Sequence, residues 1–215
     1  NAVKIEKSDA YILGEVWEDA SNKISYGARR KFLQGQQLDS VMNYPFANAI
    51  LTFIRYGVAE SFMESVVGIC ENYPKQALNC LMNHIGTHDT ARILTSIIYD
   101  SIEHKPRNLQ VNCKLTNEEY NKAKTLLKCA TVMQYTLPGF PSVYYGDEAG
   151  MQGGGDPFNR CFYPWENEDK DLLSWYQKLG GIRTSLSCLK DGDFVPYSAM
   201  LSCVAYKRVA VNEQI

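Results

Sequence analysis

Short apolar runs alternate with longer amphipathic stretches along this 215-residue chain. The apolar runs predict strands at 10–14, 38–42, 77–82 and 142–145. The amphipathic stretches predict helices at about 47–70, from 116 to just before Pro138, and at about 172–186. Parallel strands need a crossover of a dozen or more residues, which a helix usually supplies. The pattern therefore predicts an α/β fold with four parallel βα units.

The predicted helix after residue 116 has the clearest boundaries. Thr116 and Glu119 have the spacing of a capping box, and Pro138-Gly139 predicts the end. One stripe of this helix carries Tyr120, Ala123, Leu127, Ala130 and Gln134, with Leu126 and Met133 beside it. After residue 193 the helical pattern stops, and residues 194–209 form short β-prone runs. We therefore predict two domains, at 1–190 and 191–215.

The charge balance limits the classes of partner. The chain has 22 basic and 24 acidic residues, a formal net charge of −2. The basic residues are scattered, which argues against nucleic acid or an anionic membrane surface as a partner. No apolar stretch approaches the roughly 20 residues that a membrane-spanning helix needs. A neutral substrate fits this balance best.

The seven cysteines form no CxxC pair. Their odd number and apolar surroundings favour reduced thiols in the core over disulfides. We therefore expect a reducing compartment, the cytoplasm.

Polar side chains that follow parallel strands are the first candidates for chemistry, because the carboxyl ends of such strands meet at one edge. Glu15 follows the first apolar run and precedes Trp17. An acid beside an apolar strand and an indole loses solvation, which favours its protonated form and suits it to donate a proton to a leaving oxygen. The alternative for Glu15 is a solvated loop residue or a structural cap.

His88 and Asp89 follow the third apolar run. A histidine that binds a sugar hydroxyl, beside an ionised aspartate, can stabilise an oxocarbenium-like transition state. Arg92 can orient the Asp89 carboxylate. Two alternatives stay open: Asp89 or Thr90 caps a helix, or His88 binds a metal together with His84, although the segment between them lacks a helical pattern.

The glycine-rich segment at 152–155 lacks the lysine and the strand-to-helix position of a phosphate-binding loop, which argues against nucleotide binding. Asp156 and Arg160, which follow it, are predicted to shape the wall of a cleft. Acids and aromatic residues at strand ends are the groups used in glycosidic-bond cleavage.

Five segments, taken in order, carry a family resemblance. They are Gly14-Glu-Val-Trp17, Leu38-Asp-Ser-Val-Met-Asn-Tyr-Pro-Phe46, His88-Asp-Thr-Ala-Arg92, Gly139-Phe-Pro-Ser-Val-Tyr-Tyr-Gly-Asp-Glu148 and Asp156-Pro-Phe-Asn-Arg160. Together they resemble the second half of the α-amylase family of glycoside hydrolases, in its neopullulanase and cyclomaltodextrinase branch. The resemblance covers nearly the whole chain. It implies the second half of a TIM (β/α)8 barrel, strands five to eight with their helices, followed by the start of a C-terminal β domain.

The resemblance also implies a retaining reaction on α-glucosidic bonds of starch-derived oligosaccharides, the expected partners. It assigns Glu15 as the proton donor and Asp89 as the carboxylate that stabilises the transition state. It places five residues in substrate binding: Trp17, His88, Arg92, Asp156 and Arg160.

Two motifs of the family are absent from this sequence: Gly-x-Arg-x-Asp, which carries the nucleophile, and Asp-x-x-x-Asn-His. A retaining mechanism requires the nucleophile. We therefore expect a fragment that begins just before the fifth barrel strand and is inactive alone. We expect no cofactor in it, with any calcium site in the missing half.

A half-barrel leaves strand edges and inner faces open, so we expect the fragment to self-associate. The competing interpretation of the sequence is a non-catalytic carbohydrate-binding or assembly protein derived from the same barrel.

Overall fold

The computed structural model describes residues 2–215, in which helices alternate with short strands. The helices are α1 (Ala2–Glu6), α2 (Tyr44–Tyr56), α3 (Ala59–Asn72), α4 (Lys75–Asn79), α5 (Ile93–Ile98), α6 (Arg107–Val111), α7 (Asn117–Thr136), α8 (Lys170–Ser185) and α9 (Ser187–Asp191). The strands are β1 (Leu13–Gly14), β2 (Ile24–Ser25), β3 (Ala28–Arg29), β4 (Ser40–Val41), β5 (Met82–Asn83), β6 (Phe140–Pro141), β7 (Asp193–Met200), β8 (Cys203–Ala210) and β9 (Glu213–Gln214). Single turns of 3₁₀ helix lie at Ala20–Asn22 and Ile102–His104.

Strands β1, β4, β5 and β6 are parallel and follow one another in that order. Leu13 pairs with Ser40, and Met82 pairs with Phe140. A parallel bridge between Met42 and Met82 joins the two pairs of strands. The carboxyl ends of all four strands therefore lie at the same edge, which confirms the predicted parallel arrangement.

Two of the predicted strands are in the wrong place. Residues 75–79 form α4, so the third strand is limited to Met82–Asn83. Pro74 lies at the N-cap of α4, where its missing N–H costs no hydrogen bond and its fixed φ suits a helix start. The fourth strand is Phe140–Pro141 rather than 142–145, because the chain turns from residue 144 onward.

The predicted helix at 47–70 is in fact two helices, α2 and α3, separated at Gly57. Gly57 has φ 68°, and its N–H donates to the carbonyl of Phe53 at 2.8 Å, which ends α2. A Cβ added at Gly57 would lie 2.5 Å from Oγ of Ser202. Both the left-handed backbone and this close approach favour glycine.

Helix α7 confirms the predicted capping box. The N–H of Glu119 donates to Oγ1 of Thr116 at 3.2 Å, and the N–H of Thr116 donates to Oε2 of Glu119 at 2.8 Å. The predicted stripe is buried at Ala123, Leu127, Ala130 and Gln134. Tyr120 is only half-buried, and its hydroxyl donates to Asp169 at the start of α8.

The predicted β-prone end of the chain forms an antiparallel sheet of β7, β8 and β9. Phe194, Val204 and Tyr206 of this sheet pack against the main hydrophobic core, which contains Phe46, Phe62, Leu81 and Leu137. The buried Arg208 donates to the carbonyl of Thr136 at 2.8 Å. The sheet is thus joined to the helical part by apolar contacts and by a buried guanidinium, and the division at residue 190 stays a prediction.

All seven cysteines are free thiols, but only Cys188 is buried. The expectation of core positions is therefore wrong for Cys129, Cys161 and Cys203, which are exposed, whereas Cys70 is partly buried and packs against the main hydrophobic core. Within residues 2–215, no helix has both the length and the apolar character that crossing a bilayer demands.

Candidate active site

Glu15 and Tyr44 follow adjacent strands, β1 and β4. Asn43 caps α2 by accepting a hydrogen bond from the N–H of Phe46 at 3.2 Å, which fixes Tyr44 as the first residue of that helix. Tyr44 is buried, and its hydroxyl donates to Oε1 of Glu15 at 3.0 Å. Tyr44, the first residue of α2, therefore holds the carboxyl of Glu15, the candidate proton donor, by a hydrogen bond.

The surroundings of Glu15 differ from the predicted ones. Its side chain is exposed, so the expected desolvation is absent. The indole of Trp17 stacks on the ring of Tyr44 instead, with centroids 3.9 Å apart and planes at 19°. Trp17 and Glu15 thus share Tyr44 as a partner, which the sequence alone did not indicate.

The Tyr44 hydroxyl lies in a buried, negatively charged environment. Burial raises the pKa of the Tyr44 hydroxyl, its hydrogen bond to Glu15 raises that pKa further, and the negative charge of Asp89 acts in the same direction. The hydroxyl is therefore neutral near pH 7 and available as a donor. Glu15 follows β1 and Asp89 lies in the segment after β5, so both carboxylates come from the same edge of the parallel strands.

Asp89 lies between two cationic or ionisable partners. Its Oδ2 is 3.2 Å from Nε2 of His88, and its Oδ1 is 3.6 Å from Nη2 of Arg160. Arg160 in turn places Nε 2.6 Å from Oδ1 of Asp156. The structure thus brings together four of the residues selected from the sequence. All four are at least partly open to solvent, so they are accessible to a ligand.

Asn159 holds the loop that carries His88 and Asp89. Its Nδ2 donates to the carbonyls of His88 and Thr90, each at 2.8 Å, and the residue is fully buried. The segment that carries Arg160 is therefore docked directly on the loop that carries Asp89. Thr90 accepts a hydrogen bond from the N–H of Thr87, and α5 begins only at Ile93 without a side-chain cap, so the helix-cap alternative is wrong.

Arg92 is not part of this group of residues. It is 1% exposed, and its Nη1 lies 3.1 Å from Oδ1 of Asp147. Its Nε donates to the carbonyl of Asn159 at 2.7 Å, and its guanidinium lies over the ring of Tyr144. Arg92 therefore joins the segment that carries Asn159 to the loop that carries Asp147, instead of orienting Asp89. Burial raises the pKa of Asp147 to about 7, although the Arg92 charge opposes this shift.

His84 is a buried neighbour of Tyr44. Its ring meets the ring of Tyr44 edge-on with centroids 4.5 Å apart. Burial lowers the pKa of His84 to about 4, so the imidazole is neutral near pH 7. His88 is exposed, and among residues 2–215 no three His, Cys, Asp or Glu side chains form a group that could hold a metal ion.

Sequence reasoning assigned no positioning role to Tyr44, His84 or Asn159. Tyr44 and His84 do follow strand ends, which is the signal that could have selected them. Asn159 has no such signal, because its role depends on a contact with residues about 70 positions earlier in the chain.

The fold agrees with comparisons to known proteins. The α-amylase catalytic-domain family model matches residues 1–186. An amylopullulanase of Thermoanaerobacter thermohydrosulfuricus is 35% identical over 230 residues, which cover 98% of this chain and 14% of that protein. A cyclomaltodextrinase of a Bacillus species is 36% identical over 196 residues, which cover 89% of this chain and 29% of that protein.

A solved structure of a cyclomaltodextrinase superposes with a TM-score of 0.77 at 34% identity, over 98% of this chain and 32% of the solved chain. The chain thus spans less than a third of the length of each of these three proteins.

Proposed function

Because this chain belongs to the α-amylase family, we propose that it forms part of the active site of a retaining glycosidase for starch-derived α-glucan oligosaccharides. In this proposal β1, β4, β5 and β6 are strands five to eight of the family's barrel. The single observation that carries the proposal is the position of Glu15 and Asp89 in the segments that follow β1 and β5, at one edge of the parallel strands.

Glu15 acts as the general acid in this proposal. It donates a proton to the glycosidic oxygen as the bond breaks, and then removes a proton from the incoming water. The Tyr44 hydroxyl donates to Oε1 of Glu15, which orients the carboxyl and leaves Oε2 for the substrate. Closure of the site by a bound sugar would supply the desolvation that the exposed Glu15 lacks here.

Asp89 acts as the ionised carboxylate that stabilises positive charge on the sugar ring. Arg160 and His88 hold its two oxygens, and the Asn159 amide holds its loop. A carboxylate held in place before the reaction needs no reorganisation as charge develops, which is the main advantage of an electrostatic contribution to catalysis. His88, Trp17, Asp156 and Arg160 are proposed to contact the glucosyl units.

The chain alone is proposed to be inactive. No Gly-x-Arg-x-Asp motif occurs in its 215 residues, so nothing in the sequence matches the nucleophile that a retaining mechanism needs. We also propose that isolated copies associate, because Tyr11 and Phe140 form an exposed aromatic pair beside the strands, with centroids 5.9 Å apart. Light scattering that gives a monodisperse monomer would count against this association.

A chimera tests the proposed function. Residues 1–186 replace the matching segment of the Bacillus cyclomaltodextrinase, and hydrolysis of a cyclodextrin is measured for the chimera and for the isolated chain. We expect turnover by the chimera only, and loss of that turnover in Glu15→Gln and Asp89→Asn variants whose circular dichroism is unchanged. A folded chimera that binds cyclodextrin without turnover would favour the non-catalytic carbohydrate-binding alternative.

A further inference from the structure

A groove between α2 and α3 opens beside the candidate active site. Its volume is about 480 Å³, and its lining includes Trp17, Asn48, Phe62, Ser65, Gly68 and Asn72. Phe62 is buried and forms part of the floor, whereas Asn48, Ser65 and Asn72 are exposed. We call this feature the α2/α3 groove. Both helices contribute buried residues to the main hydrophobic core.

Trp17 makes the α2/α3 groove continuous with the candidate active site. One face of its indole stacks on Tyr44, whose hydroxyl bonds to Glu15, and the same indole also lines the groove. Nearly half of the Trp17 side chain surface remains exposed. Trp17 is therefore shared between the surroundings of Glu15 and the groove.

The chemistry of the α2/α3 groove selects a neutral, hydroxyl-rich ligand. Among its described lining residues, none is Lys, Arg or His, and three are acidic: Glu18, Asp19 and Glu64. These carboxylates repel phosphate groups, nucleic acid and acidic peptides. Amide and hydroxyl side chains that can both donate and accept, beside an indole face and an apolar floor, suit a sugar, which has polar edges and apolar faces.

Gly68 shows that the α2/α3 groove is open space. It lies inside α3, where glycine is less favourable than alanine. A Cβ added at Gly68 would meet no atom within 4 Å. The absence of a side chain here leaves this part of the groove open, and it offers a position where a side chain can be added without a clash at its Cβ.

We propose that the α2/α3 groove is a second binding site for an α-glucan chain, which extends from the candidate active site across Trp17. The proposal takes its ligand class from the proposed function. It predicts that long oligosaccharides contact both sites, whereas a disaccharide does not need the groove.

Calorimetry on the 215-residue chain tests this with maltoheptaose and maltose as probes. Gly68→Leu should weaken maltoheptaose binding by about tenfold or more and leave maltose binding within about twofold. Asn48→Ala, at an exposed position, should weaken maltoheptaose binding in the same direction. The matched control is Gly181→Leu, because Gly181 also lies in a helix with no atom within 4 Å of an added Cβ but is outside the groove.

Arg160→Met separates this proposal from the proposed function. If Arg160→Met weakens the binding of both sugars, the proposed function is supported, and the groove proposal is supported only if Gly68→Leu also weakens maltoheptaose binding selectively. If it changes neither affinity while Gly68→Leu still weakens maltoheptaose binding, the groove site stands and the assignment of Arg160 fails. Equal maltoheptaose affinity for Gly68→Leu and the unmodified chain, or no binding of maltoheptaose to the unmodified chain, overturns the groove proposal.

Discussion

The hydroxyl of Tyr44 donates a 3.0 Å hydrogen bond to Oε1 of Glu15. The same ring stacks on Trp17 and meets the edge of His84. Tyr44 therefore contacts three residues of the site from the start of α2. They are Glu15, the candidate proton donor, Trp17, whose indole is proposed to contact a glucosyl unit, and His84, whose imidazole is neutral. The α2 start is in turn fixed by the side-chain cap from Asn43.

His84 should make the stability of the chain depend on pH. Its folded pKa, about 4, lies below its ordinary value of 6.5, so the unfolded chain binds more protons between these values. The contribution of His84 to the free energy of unfolding is therefore complete above pH 6.5 and falls as pH decreases to 4, by up to about 3 kcal/mol.

The measurement is the difference in unfolding free energy between the unmodified chain and His84→Gln from urea titrations at several pH values. A difference is needed because Asp147, with its pKa raised to about 7, contributes in the opposite direction over the same interval. A difference that does not change between pH 4 and 6.5 would contradict the buried, neutral state of His84.

Replacing Arg92 should destabilise the fold strongly. Arg92→Met leaves Asp147 buried without its ion-pair partner, which costs about 3–5 kcal/mol in comparable cases. The double variant Arg92→Met with Asp147→Asn removes both charges and should recover part of this loss. Urea denaturation at pH 8 measures both. A loss below about 1 kcal/mol for Arg92→Met would show that the pair is not structural.

Much of the fold is predictable from the sequence because its signals are local. The Thr116 and Glu119 capping box depends on residues three positions apart, and the α7 stripe depends on helical periodicity. The parallel arrangement of the strands also follows from the alternation of apolar runs with amphipathic stretches. In contrast, the helix at 75–79 arises in a run that reads equally well as a strand, and the strand it displaces is only two residues long.

The sequence predicts which residues carry the chemistry of the site, but it does not predict which residues hold them in position. Glu15, His88 and Asp89 follow strand ends, and strand ends are visible in the sequence. The burial of Arg92 and its pairing with Asp147 are not visible, because the partners are 55 residues apart. The exposure of Glu15 was also unexpected, since neighbours in sequence do not show which side chains pack against an acid.

Removing the Asn159 side chain should loosen the Asp89 loop. Asn159→Ala leaves the carbonyls of His88 and Thr90 without their donor in a part-buried position, and the expected loss of stability is about 1–3 kcal/mol. Chemical denaturation measures it. The matched control is Asn167→Ala, whose amide makes only an exposed bond to the carbonyl of Trp165 and should change stability by less than about 0.5 kcal/mol. Equal effects of the two variants would contradict the role of Asn159.

The capping box of α7 makes a separate prediction about stability. Thr116→Ala removes the acceptor for the N–H of Glu119 and should cost about 1 kcal/mol. Thr125→Ala is the control in the same helix, because its hydroxyl only donates to the carbonyl of Asn121 at an exposed position. Thermal unfolding should show a lower midpoint for Thr116→Ala alone, and a lower midpoint for both variants would argue against a specific cap.

The most direct test of the central claim, that Glu15 donates the proton, compares two leaving groups in the cyclomaltodextrinase chimera. A glucose leaving group needs a proton and fluoride does not, so Glu15→Gln should lower kcat/KM for maltotriose by about 10²–10⁴ and that for α-maltosyl fluoride far less. An equal fall for both substrates, or no fall for maltotriose, would contradict the account.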